Sequence, residues 1–186
     1  MAKFDYYAAL EAFATDLHRA LQLACTMHAK EQKDALRSLR IECDKRLCSM
    51  ENILFCDFLP PLERDNIAAY AHCMLHTLEE TIEHAALERG ALGQTAEEAC
   101  CIRMASELKS CTAMLRRIRT PGELPDVRLF RNLLQQAREA HASDIARVGH
   151  GTLPKSASRI ILSTGRLRLE LSRCFDELIE VMLHNI

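Results

Sequence analysis

Apolar side chains recur every three or four positions along nearly the whole chain, with charged and polar residues between them. That is the helical period. Residues 4–29 carry Tyr6, Leu10, Phe13, Leu17, Leu21 and Ala24 on one stripe. Residues 33–55 carry Leu36, Leu39, Cys43, Leu47, Met50 and Leu54. Residues 62–89 carry Ile67, Tyr70, Ala71, Met74, Leu78, Ile82 and Ala85. A fourth helix is expected to run to residue 118 from Thr95-Ala-Glu-Glu98, the pattern of a capping box. A fifth, over 125–148, turns Val127, Phe130, Leu133, Leu134 and Ala137 inward, and a sixth covers 155–183.

Breakers are few and sit between these stretches. Phe58-Leu59-Pro60-Pro61-Leu62-Glu63-Arg64-Asp65-Asn66 is the sharpest. Two adjacent prolines stop one helix, because each lacks an N–H and biases the residue before it away from helix. Proline still fits a first turn, and Glu63 and Asp65 suit the positive pole of the helix that follows. Gly90 to Thr95, Thr120 to Pro125 and Gly149 to Pro154 are the other connectors. The expectation is an all-α bundle of about six long antiparallel helices in one domain, residues 1–186. Two three-helix units, about 4–90 and 95–185, lie side by side in it.

Composition agrees. Ala, Leu, Glu and Arg dominate, and 6 glycines and 5 prolines in 186 residues leave little room for anything but helix. A formal net charge of −2 argues against a nucleic-acid partner. The nine cysteines are odd in number and irregular in spacing, and most fall on apolar positions. They are read as reduced, small hydrophobic residues of a cytoplasmic protein. The first thirty residues read as amphipathic helix with acidic positions rather than as a leader. No stretch approaches ~18 uncharged apolar residues, the length a membrane span requires.

Candidate chemistry is sparse. There is no nucleophilic triad signature, no phosphate-cradling glycine loop and no pair of C-x-x-C motifs. The vicinal Cys100-Cys101 is read as packing. His72, His76, Glu79 and Glu83 fall at i, i+4, i+7 and i+11, so they project from one side of the third helix, away from its apolar face. Two histidines at that spacing can share a divalent metal, with Glu79 adding an oxygen. Against this stands a solvated polar face. Arg116, Arg117 and Arg119 crowd the end of the fourth helix, and Arg159, Arg166 and Arg173 repeat every seven residues on the sixth. That row is read as a solvated face, with an acidic partner or anionic headgroups as its alternative. An enzyme of the di-iron carboxylate type needs Glu-x-x-His pairs on two helices. Neither Glu80 with His84 nor Glu139 with His141 has that spacing, so a non-enzyme is expected.

With these residues placed, the chain resembles the PhoU-like phosphate-uptake regulators, in particular the accessory proteins associated with Pit-type phosphate transporters. The signature there is a phenylalanine, a proline-containing corner, then Asp/Glu-Arg-Glu/Asp-Asp-Ile opening a helix. Phe58 to Ile67 matches it, with Asn66 in place of an aspartate. Arg40-Ile41-Glu42-Cys43-Asp44 and the closing segment from Leu169 to Asn185 extend the similarity over nearly the whole chain. The resemblance implies a cytosolic accessory protein that binds a membrane phosphate transporter or its sensor from the inner face, with room for a homodimer.

The resemblance also implies Glu/Asp-x-x-x-Asp motifs that hold zinc or iron. Here they are eroded. Arg40 replaces one carboxylate beside Asp44, Leu75 replaces one before Glu79, Ser143 follows Glu139, and Arg168 and Ser172 replace both in the last helix. An arginine offers no lone pair to a metal, so no site is expected in the second half. In the first half, Asp44, His72, His76, Glu79 and Glu83 would form a divalent site if the second and third helices face one another suitably. The alternative is a helical-bundle adaptor or metal-binding protein of other function that has lost most of these ligands.

Overall fold

The computed structural model describes residues 4–26, 29–56, 63–87, 94–118, 127–151 and 153–184. They form α1 (Tyr6–Thr26), α2 (Ala29–Cys56), α3 (Arg64–Ala85), α4 (Ala96–Met114), α5 (Val127–Gly149) and α6 (Lys155–Leu183). The fold is an all-α bundle, as the periodicity predicts, and the described residues contain no strand. The proline corner at 57–62 lies outside the described residues, as does the 119–126 connector. What is visible is that α2 ends at Cys56, before the corner, and that α3 begins at Arg64, after it.

Helix α1 opens on Asp5, whose carboxylate accepts the Ala8 N–H at 3.0 Å and supplies a side-chain cap. That bond, with the Arg116 guanidinium, holds the Asp5 carboxyl below its usual range. Helix α4 opens on the capping box expected for it. Thr95 Oγ1 accepts from the Glu98 N–H at 3.1 Å, and Glu98 Oε2 accepts from the Thr95 N–H at 2.8 Å.

Helix directions follow from contacts at the ends. Arg116, just past α4, reaches Asp5 at 2.7 Å and Glu11 at 3.1 Å, so α4 runs antiparallel to α1. Asn66 at the start of α3 meets His184 at the end of α6, and His84 at the end of α3 meets Ser163 early in α6. Those two helices are therefore antiparallel as well. Helices α1, α3, α6 and α4 contact one another in a closed ring. Helix α2 lies against α1 and α3, and α5 packs against α6. The first three helices touch pairwise, as a three-helix unit requires, whereas α4 and α5 do not pack backbone against backbone and meet through Arg147 and Glu97, 3.8 Å apart. Helices α2 and α5 pack on the outside of this four-helix ring.

The ring position explains a second buried face that the apolar stripe did not reveal. Helix α3 buries Ile67, Tyr70, Ala71, Met74 and Leu78 as expected, and also Thr77, Thr81 and His84. The threonine hydroxyls donate to carbonyls one turn back, Thr77 to Cys73 and Thr81 to Thr77, so they enter the core with their hydrogen bonds made. Thr112, Thr164 and Ser172 do the same on α4 and α6. Where α5 crosses α6, Gly165 faces the His141 ring, and a side chain at 165 would collide with it.

Tyr70 is fully buried, and its hydroxyl lies 2.6 Å from Thr112 Oγ1, tying α3 to α4. Burial pushes its phenol well above the ordinary range. Tyr70→Phe is expected to cost about 0.5–1.5 kcal/mol, the usual worth of one hydrogen bond, because Thr112 keeps its bond to the Leu108 carbonyl. Urea unfolding with an unchanged slope and a lowered midpoint would register it.

Candidate functional site

The expected metal ligands lie where α2 faces α3, but an arginine stands among them. The Arg40 guanidinium is bonded to both Asp44 and Glu79. His76 Nδ1 lies 3.6 Å from Glu79 and its Nε2 lies 3.9 Å from Glu170 of α6. His72 pairs instead with Glu51, at 2.7 Å. Glu83 lines a surface cleft with Glu80, Arg159, Ser163 and Arg166. Thus the structure brings Asp44, His76 and Glu79 together around a cation that the chain itself supplies. It sends His72 and Glu83 elsewhere.

This arrangement does not fit a zinc or iron ion. A fixed guanidinium satisfies the carboxylates that a metal would need, and its charge repels a second cation. Among the described residues, these five do not converge on one point. The other half carries a parallel device. Arg168 of α6 lies 3.5 Å from Asp144 of α5, both largely buried, and Arg147 braces the same carboxylate at 3.2 Å. In each half an arginine crosses to an acid on the adjacent helix.

The basic row on α6 is solvated, as read from its spacing. Arg159, Arg166 and Arg173 are exposed, and Arg173 pairs with Glu170 at 2.6 Å.

None of the nine cysteines is in a disulfide among the described residues. Burial pushes the Cys43, Cys101 and Cys111 thiols up to about 12, and the nearby Asp16 carboxylate adds to the effect at Cys43. Cys174 is driven well above the ordinary thiol range by burial and by its contact with Cys73. A protonated thiol is a poor nucleophile. Alkylation of the native protein at pH 8 is therefore expected to mark the exposed Cys48 and Cys56 first. Cys43, Cys101, Cys111 and Cys174 follow only on unfolding, and mass spectrometry of digests reads the order. The same shifts make alkali destabilising. Above the ordinary thiol value of 9.0 the unfolded chain loses thiol protons that the folded chain keeps up to about 12, so stability falls through that window.

Sequence reasoning missed the most deeply buried ionisable pair, His84 with Glu98. Both side chains are fully buried, with Nε2 and Oε1 2.7 Å apart. His84 Nδ1 meets Ser163 Oγ at 3.0 Å. The available signal was the capping box, which fixes Glu98 at the start of α4. Nothing local pointed to a histidine fourteen residues earlier.

Fold and site together define an all-α helical bundle whose halves each hold an interhelical arginine–carboxylate bridge. The sequence matches no protein-family model and no curated protein. No described helix is long and apolar enough to cross a membrane.

Proposed function

We propose that this protein is a non-enzymatic regulator of inorganic phosphate transport, acting through contacts with a membrane phosphate transporter or its sensor from the cytosolic side. The resemblance of the Phe58–Ile67 corner and the closing helix to PhoU-like regulators supports this reading, and the six-helix all-α architecture is the one that resemblance implies. The observation that carries it is the Arg40 bridge to Asp44 and Glu79. At positions where the resemblance places metal carboxylates, the helices are held by a charge pair that serves assembly and offers no open coordination site.

A second reading is favoured by the same observation and its counterpart, Arg168 with Asp144. A bundle that has exchanged ligands for bridges in both halves can be an adaptor for other partners. Affinity purification of the tagged chain from cells held at high and at low phosphate separates the two. The regulator reading expects a phosphate transporter or sensor to co-purify, in an amount that changes with phosphate. A different, phosphate-independent partner establishes the adaptor, and recovery of no phosphate-related membrane protein in either state overturns the first reading.

A further inference from the structure

At one end of the central bundle, three potential metal ligands from three helices converge. Cys25 ends α1, His84 ends α3 and Glu98 begins α4. Their ligand atoms all lie within 4.8 Å of one another, and all three residues are buried. No other such group of three occurs among the described residues. From this geometry we infer a zinc site formed by Cys25, His84 and Glu98, a staple that joins α1 and α3 to α4.

The donor set selects the ion. A thiolate, an imidazole and a carboxylate together suit zinc, whereas magnesium and calcium prefer all-oxygen shells. Tetrahedral zinc with bonds of about 2.0–2.3 Å sets its ligand atoms about 3.3–3.6 Å apart. The 2.7 Å between His84 Nε2 and Glu98 Oε1 then opens by only about 0.6 Å to admit the ion. The supporting bonds are already placed. Ser163 Oγ lies 3.0 Å from Nδ1 and can accept its N–H, the tautomer that leaves Nε2 for the metal, and the Thr95 N–H holds Glu98 Oε2 at 2.8 Å, which leaves Oε1. Partners of this kind orient ligands in zinc sites.

Charge also balances. One thiolate and one carboxylate neutralise Zn²⁺, so the filled site brings no net charge into this buried end of the bundle. Binding releases the Cys25 thiol proton, and the proton on His84 Nε2 where that nitrogen carries one, to solvent. Three protein donors leave a fourth tetrahedral position for water.

The test uses the full chain, stripped with a chelator and checked for helix content by circular dichroism. Cobalt(II) is then added as a spectroscopic stand-in for zinc. One equivalent is expected to give tetrahedral visible bands together with a thiolate charge-transfer band, and one equivalent of zinc is expected to abolish both. Cys25→Ser should lose the charge-transfer band while helix content is retained, and Cys101→Ser, a change at a neighbouring buried thiol, should keep it. A wild-type protein without the band, or a Cys25→Ser protein that retains it, overturns the site. Should Cys25→Ser fail to fold, X-ray absorption at the zinc edge of the reloaded wild type decides. One sulfur with nitrogen and oxygen donors supports the site, and a sulfur-free shell overturns it. A metal held near Asp44, His76 and Glu79 would be sulfur-free, so the two locations cannot be confused.

Discussion

Glu98→Ala is expected to lower the stability of the metal-free protein by about 3–5 kcal/mol, because it leaves two hydrogen-bonding groups without their partner at about 1–3 kcal/mol each. His84 would keep its place at zero exposure with Nε2 facing an empty space instead of a carboxylate 2.7 Å away. The Thr95 N–H would lose its acceptor in the same stroke, because one carboxylate serves both groups. Glu98→Gln should fall between the wild type and alanine. Its single amide oxygen can satisfy the imidazole or the Thr95 N–H but not both. For a chain of this length each kcal/mol moves the thermal midpoint by roughly 2–4 °C, so the alanine variant should melt about 6–20 °C lower. Calorimetry in the presence of chelator makes the measurement. A drop of under 2 °C, or a glutamine variant as weak as alanine, would mean that the pair is not held as described.

The second large effect is apolar. Phe175 of α6 stacks on Phe130 of α5, with ring centroids 5.1 Å apart and planes 20° from parallel. Both are almost fully buried. Phe175→Ala is expected to cost about 3–5 kcal/mol through lost transfer energy and the cavity left behind. It should also loosen α5 selectively, because α5 packs on α6 and otherwise reaches α4 through a half-exposed Arg147–Glu97 pair. Chemical unfolding gives the total, and limited proteolysis shows whether cuts concentrate between Phe130 and Gly149. Phe175→Leu should recover much of the loss. Equal cleavage along all six helices would contradict the described docking of α5.

The helices were legible because α1, α2 and α3 carry strong 3.6-residue stripes and because prolines and glycines mark their limits. Boundaries moved by a few residues. Helix α2 starts at Ala29 rather than 33, and α4 stops at Met114 rather than 118. The ring of α1, α3, α6 and α4 was not legible, for a physical reason. Its inner walls include threonine and serine, whose short side chains satisfy their own hydroxyls one turn back and so enter a core while scoring as polar. Thr77, Thr81 and Ser172 are of this kind.

The expected metal stripe shows a different limit. Four residues at i, i+4, i+7 and i+11 share a side, yet the first and last stand about 16 Å apart along the helix. A stripe is a line, whereas a metal needs a point. Convergence requires a second helix, and the one that faces α3 here presents Arg40 between the acids. Cys25, His84 and Glu98 lie far apart in sequence and meet only because three helix ends share one end of the bundle.

The placement of α5 also shapes how the molecule comes apart. A helix of the ring cannot leave without opening two or more neighbouring faces, so the ring opens as one cooperative unit. Helix α5 is held by its face on α6, by the ring stack of Phe130, by the Asp144–Arg168 bridge and by a half-exposed Arg147–Glu97 pair to α4. It can therefore peel away while the remaining helices keep their contacts, a partial unfolding event of lower free energy than the whole. The surface uncovered on α6 would include Phe175, an aromatic side chain otherwise sealed from water.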